Sequence, residues 1–249
     1  MTYDGPVIRL EHVSKAFGAL RVLDDVSIAI PRGEATVVLG RSGTGKSVML
    51  KHVVGLLQPD AGRVFVEGEE ITALTGSALA DVRRHIGFLF QNAALFDSIT
   101  VGDNVGFPLR RHTELPEAEI RTRVREKLSQ VGLEHALDKM PAELSGGMKK
   151  RAGLARAMAL DPSILLVDEP SAGLDPITSE EIDDLLVSVK RNLGTTLIVV
   201  THNIPSARRI GDTLVFLHEG RVLVQGSVVE LEASEHALVT RFMHSEAGG

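Results

Sequence analysis

The sequence contains no cysteine, which excludes a disulfide framework, catalysis by a thiolate and a zinc site built from cysteine ligands. It also has no long apolar run: the longest, such as residues 164–167 and 197–200, are far shorter than the roughly 20 residues of a membrane-spanning helix. Residues 1–10 lack the basic and apolar blocks of a secretory signal. These absences predict a chain that does not cross a bilayer by itself.

Positive charge is not in excess, because 27 lysines and arginines stand against 33 acidic residues and give a net charge of -6. The chain therefore has no general electrostatic reason to bind nucleic acid, and we expect no nucleic-acid partner. Hydrophobic residues make up 43% of the 249 positions, which is enough for a large core and excludes a disordered or collagen-like chain.

Three short runs are continuously apolar rather than alternating: residues 36–39, 164–167 and 197–200. This pattern is typical of strands that are buried on both faces of a parallel sheet. Each run ends in polar or glycine-rich sequence, and open α/β sheets bind their ligands at the carboxyl ends of their strands. We therefore predict an α/β fold with a ligand site at this edge.

Helical periodicity lies between the predicted strands. Residues 179–193 carry an apolar stripe that stops before Gly194, and a second helix follows Pro116. The apolar face of that second helix consists of Ile120, Val124, Leu128 and Val131. It belongs to a stretch, about residues 92–160, with few strand signals, which we predict to be a helical subdomain inserted into the α/β core.

A different pattern occurs outside this core. Apolar residues alternate with smaller ones at residues 26–30, which predicts a strand with one buried face, and residues 63–68 give a weaker strand signal. We expect both to lie in an antiparallel sheet beside the core. Residues 213–217 and 221–224 flank a turn and predict a hairpin, and residues 245–249 resemble a disordered end.

A phosphate-binding motif of the form G-x-x-x-x-G-K-[ST] follows the strand at residues 36–39 and precedes a helical run at residues 48–56. Its residues, called the phosphate loop here, are Gly40, Arg41, Ser42, Gly43, Thr44, Gly45, Lys46 and Ser47. Glycines let the backbone curl around phosphate oxygens, and the following helix adds its positive end. Lys46 would contact the β- and γ-phosphates, and Ser47 would hold a magnesium ion.

Two adjacent carboxylates, Asp168 and Glu169, end the apolar run at residues 164–167. Because side chains alternate along a strand, we expect Asp168 to face magnesium and Glu169 to face the attacking water as a general base. An acidic pair that only caps a helix or faces solvent is the alternative. His202 follows the strand at residues 197–200 and suits a sensor that hydrogen-bonds the γ-phosphate and orients the water, although a lone histidine is more often structural.

Leu-Ser-Gly-Gly at residues 144–147, called the signature here, stands shortly before the Asp168 strand. In this order the motifs resemble the nucleotide-binding subunits of ABC transporters. The resemblance implies a P-loop NTPase (RecA-like) core with a flanking antiparallel β-subdomain and an inserted helical signature subdomain. Ser145 can cap a helix running on to about Ala159, while Gly146 and Gly147 allow backbone to approach phosphate.

The resemblance also implies a homodimer, in which one subunit's signature closes on the ATP held by the other subunit's phosphate loop. Phe17 would stack on adenine, Gln91 would reach magnesium and water, and Asp175 would contact the opposite subunit. A core aromatic and an ordinary loop glutamine are the alternatives for Phe17 and Gln91. The implied catalytic residues are Glu169, His202 and Gln91, and the implied magnesium ligands are Ser47, Gln91 and Asp168.

The signature is followed by Met148, where most members of the family have glutamine. Leu-Ser-Gly-Gly-Met with basic residues after it looks like the ATPase of Mla/Mce-type phospholipid transport systems, as do residues 95–101, 168–178 and 230–242. This likeness implies a single ABC ATPase domain over residues 1–249, with a C-terminal extension at about 227–249. It also implies integral membrane permease subunits, a STAS-like small protein and an Mce-domain lipid-binding protein as partners, at the cytoplasmic face of a membrane.

Three other functions remain open. An ABC importer for another solute, such as a polar amino acid, would carry the same catalytic motifs. A non-transport ABC ATPase commonly carries two such domains or a coiled-coil insertion, and this chain has neither. The signature and the position of His202 disfavour an unrelated P-loop kinase.

Overall fold

Ten strands form two sheets in the computed structural model, which describes residues 4–245; residues 246–249 of the predicted disordered end lie outside this range. The strands are β1 Ile8–Phe17, β2 Leu20–Ile30, β3 Ala35–Leu39, β4 Ala61–Val66, β5 Glu69–Glu70, β6 Ile86–Leu89, β7 Ile164–Asp168, β8 Thr196–Thr201, β9 Thr213–His218 and β10 Arg221–Gly226. The helices are α1 Lys46–Val53, α2 Gly76–Arg84, α3 Val101–His112, α4 Glu117–Gln130, α5 Gly146–Ala157, α6 Pro176–Leu193, α7 Ile204–Ile210, α8 Val228–Glu232 and α9 Ala237–Met243.

The larger sheet has the order β10-β9-β3-β8-β7-β6, and its strands run parallel except for the terminal β9–β10 hairpin. Every residue of β3, β7 and β8 is buried, which explains the continuously apolar runs and confirms those three strands. Since parallel strands end at one edge, the chain leaves β3, β6, β7 and β8 on the same side of the molecule. The phosphate loop, Gln91, the two carboxylates and His202 follow these ends.

The predicted antiparallel sheet is present and has the order β2-β1-β4-β5. Val26, Ile28 and Ile30 of β2 are buried in alternation with exposed neighbours, as the sequence predicted. Strand β1 was not predicted from the sequence. Its pairing is interrupted beyond Leu10 and its His12 has a φ of 53°, so its apolar residues lose the alternation that identifies a strand.

Helices α3, α4 and α5 pack against one another inside the stretch predicted to be helical. The predicted face of α4 is buried there through Ile120, Val124 and Leu128, and Val131 directly after the helix is buried as well. Within residues 4–245, no helix is both long and apolar enough to span a membrane.

Several predicted boundaries were wrong by a few residues. The helix after the phosphate loop begins at Lys46 and ends at Val53, because the chain turns at Val54 and Gly55 has a left-handed φ of 65°. Helix α5 ends at Ala157 rather than Ala159. Helix α6 begins at Pro176, since Asp175 caps it and proline suits the first helical position.

Candidate nucleotide site

The phosphate loop joins β3 to α1 and is held in a tight curl. Gly45 has a φ of 100°, and a Cβ atom there would lie 2.6 Å from the carbonyl oxygen of Val22, so a side chain does not fit. Lys46 is 5% exposed, and its Nζ donates to the carbonyls of Gly40 (2.8 Å) and Arg41 (3.1 Å). The Thr44 hydroxyl donates to the Arg41 carbonyl at 2.9 Å. The loop therefore has a defined shape around its lysine.

Ser47 and Asp168 meet across the site, where the Ser47 hydroxyl donates to Asp168 Oδ1 at 2.7 Å. Burial raises the pKa of Asp168, and the hydrogen bond from Ser47 acts in the opposite direction. Within residues 4–245, no group of three or more histidine, cysteine or acidic side chains could hold a metal ion alone. Mg²⁺ binds through one or two protein oxygens together with substrate phosphates and water, so this donor pair fits it.

Glu169 has different partners from its neighbour. Its Oε2 lies 2.9 Å from His202 Nδ1, and its Oε1 lies 3.4 Å from Lys46 Nζ. The strand ends at Asp168, and Glu169 has a left-handed φ of 46°, so the backbone turn rather than strand alternation separates the two carboxylates. Burial lowers the pKa of Lys46, and the Glu169 carboxylate opposes this effect. The His202 side chain is 54% exposed, so it faces solvent as well as Glu169.

Gln91 lies just beyond the end of β6, and its side chain is exposed. Shortly after it, Ala93 has a left-handed φ of 58° and Ala94 a left-handed φ of 50°. The carbonyl oxygen of Gln91 accepts a hydrogen bond from Lys150 Nζ. Lys150 was not predicted from the sequence as a site residue, because a basic run at residues 149–151 carries no sign of which side chain is buried.

The signature lies at the N-terminus of α5, where the Ser145 hydroxyl accepts from the backbone N–H of Met148 at 3.3 Å. Gly147 is closely packed: a Cβ atom there would lie 2.5 Å from Thr178 Cγ2. Asp175 caps α6 by accepting from the backbone N–H of Thr178 (3.0 Å) and from its hydroxyl (2.6 Å). One threonine thus joins the Asp175 loop to the signature within the chain.

The signature and the phosphate loop belong to different parts of the chain. Helix α5 packs on α3, α4, α6 and β6, whereas α1 packs on β2, β4, β7 and β8. Within residues 4–245, no hydrogen bond joins the signature to the phosphate loop. One copy of the chain therefore presents the two predicted anion-binding elements apart from each other.

Phe17 ends β1 and is 48% exposed, so the core-aromatic interpretation was wrong. Asp60 holds the strand end next to it, accepting from the backbone N–H of Ala16 (2.7 Å) and from Lys15 Nζ (2.7 Å). The Lys15 ammonium lies 5.7 Å from the Phe17 ring centroid. An exposed aromatic ring on a fixed strand end can stack on a planar base.

Comparison with known proteins gives one consistent family. The ABC transporter family model matches residues 23–172. The "Probable ribonucleotide transport ATP-binding protein mkl" of Mycobacterium tuberculosis is 42% identical over 245 residues, covering 98% of this chain and 68% of that protein. The "Intermembrane phospholipid transport system ATP-binding protein MlaF" of Escherichia coli is 39% identical over 243 residues, covering 98% of this chain and 90% of that protein.

Two further similarities extend this result. The "Methionine import ATP-binding protein MetN 2" of Rhodopseudomonas palustris is 46% identical over 237 residues, covering 94% of this chain and 63% of that protein. A solved dimeric structure of the ATP-binding cassette MJ0796, bound to ADP and inorganic phosphate, superposes with a TM-score of 0.82 and 34% identity. It covers 88% of this chain and 98% of the solved one.

Proposed function

The chain belongs to the ABC transporter family, and from this premise we propose how its residues bind and hydrolyse ATP and which solute its transporter carries. It is an ATP-hydrolysing subunit of such a transporter, with an α/β core of the P-loop NTPase type.

The reaction centre is built around Glu169, which acts as the general base for the attacking water. Its contact with His202 is the observation that carries this assignment, because a histidine that bonds one carboxylate oxygen holds the carboxylate in a fixed direction. Lys46 binds the β- and γ-phosphates. When ATP enters, Lys46 exchanges its contact with Glu169 for phosphate oxygens, which leaves the carboxylate free to accept a proton.

Ser47, Asp168 and Gln91 would hold Mg²⁺, which supplies charge neutralisation at the phosphate oxygens when it is bound. The hydroxyl of Ser47 and the carboxylate of Asp168 already converge at 2.7 Å. Gln91 reaches the same edge of the sheet from the end of β6. The exposed ring of Phe17 stacks on adenine, and the remaining residues of the phosphate loop wrap the phosphates through their backbone N–H groups.

The working form is a homodimer with ATP at the interface. Ser145, Gly146 and Gly147 of one copy close on the nucleotide held by the other copy's phosphate loop, and Asp175 contacts the opposite subunit. The separation of the two elements within one chain and the dimeric state of the solved MJ0796 cassette support this arrangement. Because the signature touches nucleotide only in the closed dimer, ATP binding favours closure and hydrolysis reverses it.

Membrane permease subunits bind near the end of β6, where a short permease helix docks at a groove between β6, α3 and α5. The groove is a cavity of about 210 Å³ lined by Phe88, Phe90, Pro108 and Arg156, among others. Next to it, the rings of Phe96 and Phe107 lie 4.9 Å apart, and both are about half exposed. Bound to the permease in this way, the chain would lie on the cytoplasmic face of a membrane, and a STAS-like protein and an Mce-domain protein would be further members of the complex.

The transported molecule is a phospholipid, as the name of the MlaF relative suggests. Met148 after the signature and the match over 90% of that relative support this choice. A methionine-type importer is the second candidate, because the MetN 2 relative is 46% identical. Mass spectrometry of the complex purified through this subunit separates them: we expect bound phospholipid, and a polar amino acid with its soluble receptor would favour the importer.

The base assignment is tested by Glu169→Gln, which keeps the size of the side chain and removes its basicity. We expect kcat for ATP hydrolysis to fall by at least about 100-fold, while ATP affinity stays within about threefold. Turnover and ATP binding are measured on the same preparation. Retained turnover would mean that Glu169 is not the base.

A further inference from the structure

Lys150 is a buried lysine that the reaction described above does not use. It is 5% exposed and lies on α5, one turn beyond the signature. Its Nζ donates to the carbonyl oxygen of Glu169 at 3.0 Å and to the carbonyl oxygen of Gln91. A buried ammonium group needs such partners, and here they are the main chains of two segments on neighbouring strand ends.

Both segments have unusual backbone conformations. Glu169 is left-handed, and so are Ala93 and Ala94 just after Gln91. Residues with a Cβ atom avoid this region, and they keep such conformations when the surrounding structure imposes them. The hydrogen bonds from Lys150 to the carbonyls of Gln91 and Glu169 help to hold the backbone of both segments in these conformations.

Several residues on one side of helix α5 contact the loop at residues 91–94 and restrain it. Arg156 donates to the carbonyls of Ala93 (2.9 Å) and Ala94 (2.8 Å). Between the two basic residues, Gly153 packs so closely that a Cβ atom there would lie 3.0 Å from the Cβ of Ala93. Lys150, Gly153 and Arg156 are spaced by three residues and therefore share one side of the helix.

A second buried lysine, Lys127, lies outside the site and has a different kind of partner from Lys150. Lys127 of α4 is also 5% exposed, but it pairs with Asp161 Oδ1 at 2.5 Å, and that carboxylate is largely open to solvent. Within residues 4–245, Lys150 forms no such ion pair and uses only main-chain carbonyls. Burial lowers the pKa of Lys150, while the nearby Asp168 and Glu169 carboxylates act in the opposite direction.

We propose that Lys150 is a positioning residue for ATP hydrolysis: by holding the carbonyls of Gln91 and Glu169 together, it fixes both side chains relative to the signature helix. The inference rests on the roles proposed above for Gln91 and Glu169. A movement of α5 that brings the signature to a partner's nucleotide then moves Lys150 and, through it, the water-activating residues. The position of the signature is then coupled to the orientation of the Glu169 carboxylate.

The test compares Lys150→Met with Lys127→Met in the subunit purified together with its membrane partners. Both variants remove a buried ammonium and keep a side chain of similar length. For Lys150→Met we expect kcat to fall by at least about 10-fold with the ATP KM within about threefold, because misplaced groups slow the chemical step while the phosphate loop is intact. Lys127→Met loses thermal stability and keeps kcat, and Lys150→Arg, which retains charged donors, restores kcat to within about threefold of wild type.

A kcat for Lys150→Met equal to that of Lys127→Met would overturn the inference, and so would equal losses of kcat and ATP affinity. If Lys150→Met does not fold, Lys150→Gln decides, since its amide keeps a polar group in the buried site while its shorter side chain cannot bridge both carbonyls. A lowered kcat with unchanged KM supports the proposal, and wild-type kcat contradicts it. Glu169→Gln is measured in parallel. If Glu169→Gln is inactive and Lys150→Met is normal, only the inference about Lys150 fails, whereas an active Glu169→Gln removes the base assignment itself.

Discussion

Gly147 has a structural reason for lacking a side chain that is separate from its proposed contact with phosphate. Thr178 Cγ2 occupies the space that a Cβ atom would need, and Thr178 in turn bonds to Asp175. Neither neighbour can move freely, because Asp175 and Thr178 together cap α6. The signature is therefore fitted against the loop proposed to contact the other subunit.

Gly147→Ala is expected to destabilise the chain by about 1–3 kcal/mol, as overpacking of a close contact does. Thermal unfolding measures this change without depending on turnover. Thr178→Ser removes the Cγ2 atom and keeps the hydroxyl, so the double variant should recover most of the lost stability. Equal instability with and without Thr178→Ser would show that Thr178 is not the obstacle.

The positions of site residues could be predicted from the sequence where they belong to a short motif that determines the backbone conformation. The phosphate loop, Asp168, Glu169 and His202 lie together at one sheet edge because short motifs follow buried parallel strands. Lys150 and Thr178 were not predictable, since their importance comes from contacts between segments distant in sequence. No periodic pattern distinguishes them from ordinary surface residues of the same type.

At the scale of elements, α6 and α7 enclose a buried carboxylate. Asp183 of α6 is buried, its Oδ1 has no hydrogen-bond partner among the described residues, and burial raises its pKa to about 6. Ser206 and Arg209 on α7 act against this shift, whereas Asp184 and Glu180 on α6 add to it. The ionised form is therefore disfavoured in the folded chain.

Because the pKa of Asp183 is higher in the folded chain than in the unfolded chain, the folded state binds this proton more tightly. The contribution of Asp183 to the free energy of unfolding is therefore present below about pH 4 and is lost as the pH rises to about 6. Asp183→Asn avoids the charge and should raise the free energy of unfolding at about pH 7.5 by an amount on the order of 1 kcal/mol, which appears as a higher melting temperature. Melting curves at about pH 4 should show a much smaller difference, and equal stabilisation at both values would contradict the assignment.

Helices and strands with a regular apolar pattern were predicted well. Those in which proline, glycine or irregular strand pairing interrupts the pattern were not. Helices α4 and α6 and strands β3, β7 and β8 have regular apolar patterns. Strand β1 has irregular pairing, and α3 contains Pro108 and two glycines in its interior, features that weaken a helical signal. Tertiary packing of Val101, Val105 and Leu109 against α4 and α5 stabilises α3 in spite of its composition.

At the scale of the whole molecule, the chain has a complete core but presents the two parts of the proposed ATP site on different surfaces. The phosphate loop lies on the α/β core, and the signature lies on the helical stretch. A homodimer in which each signature faces the other copy's phosphate loop resolves this separation. The absence of cysteine from the sequence makes that arrangement directly measurable, because introduced cysteines are the only thiols.

The decisive measurement mixes two variants of the Glu169→Gln chain, one carrying Ser42→Cys in the phosphate loop and the other Ser145→Cys in the signature. Both serines are exposed. After addition of ATP and magnesium, a short bis-maleimide should link the two chains into a covalent dimer, while each variant alone, or the mixture with ADP, should stay largely unlinked. If the ATP-bound mixture gives no more linked dimer than either variant alone, the signature does not face a partner's phosphate loop and the proposed shared site is wrong.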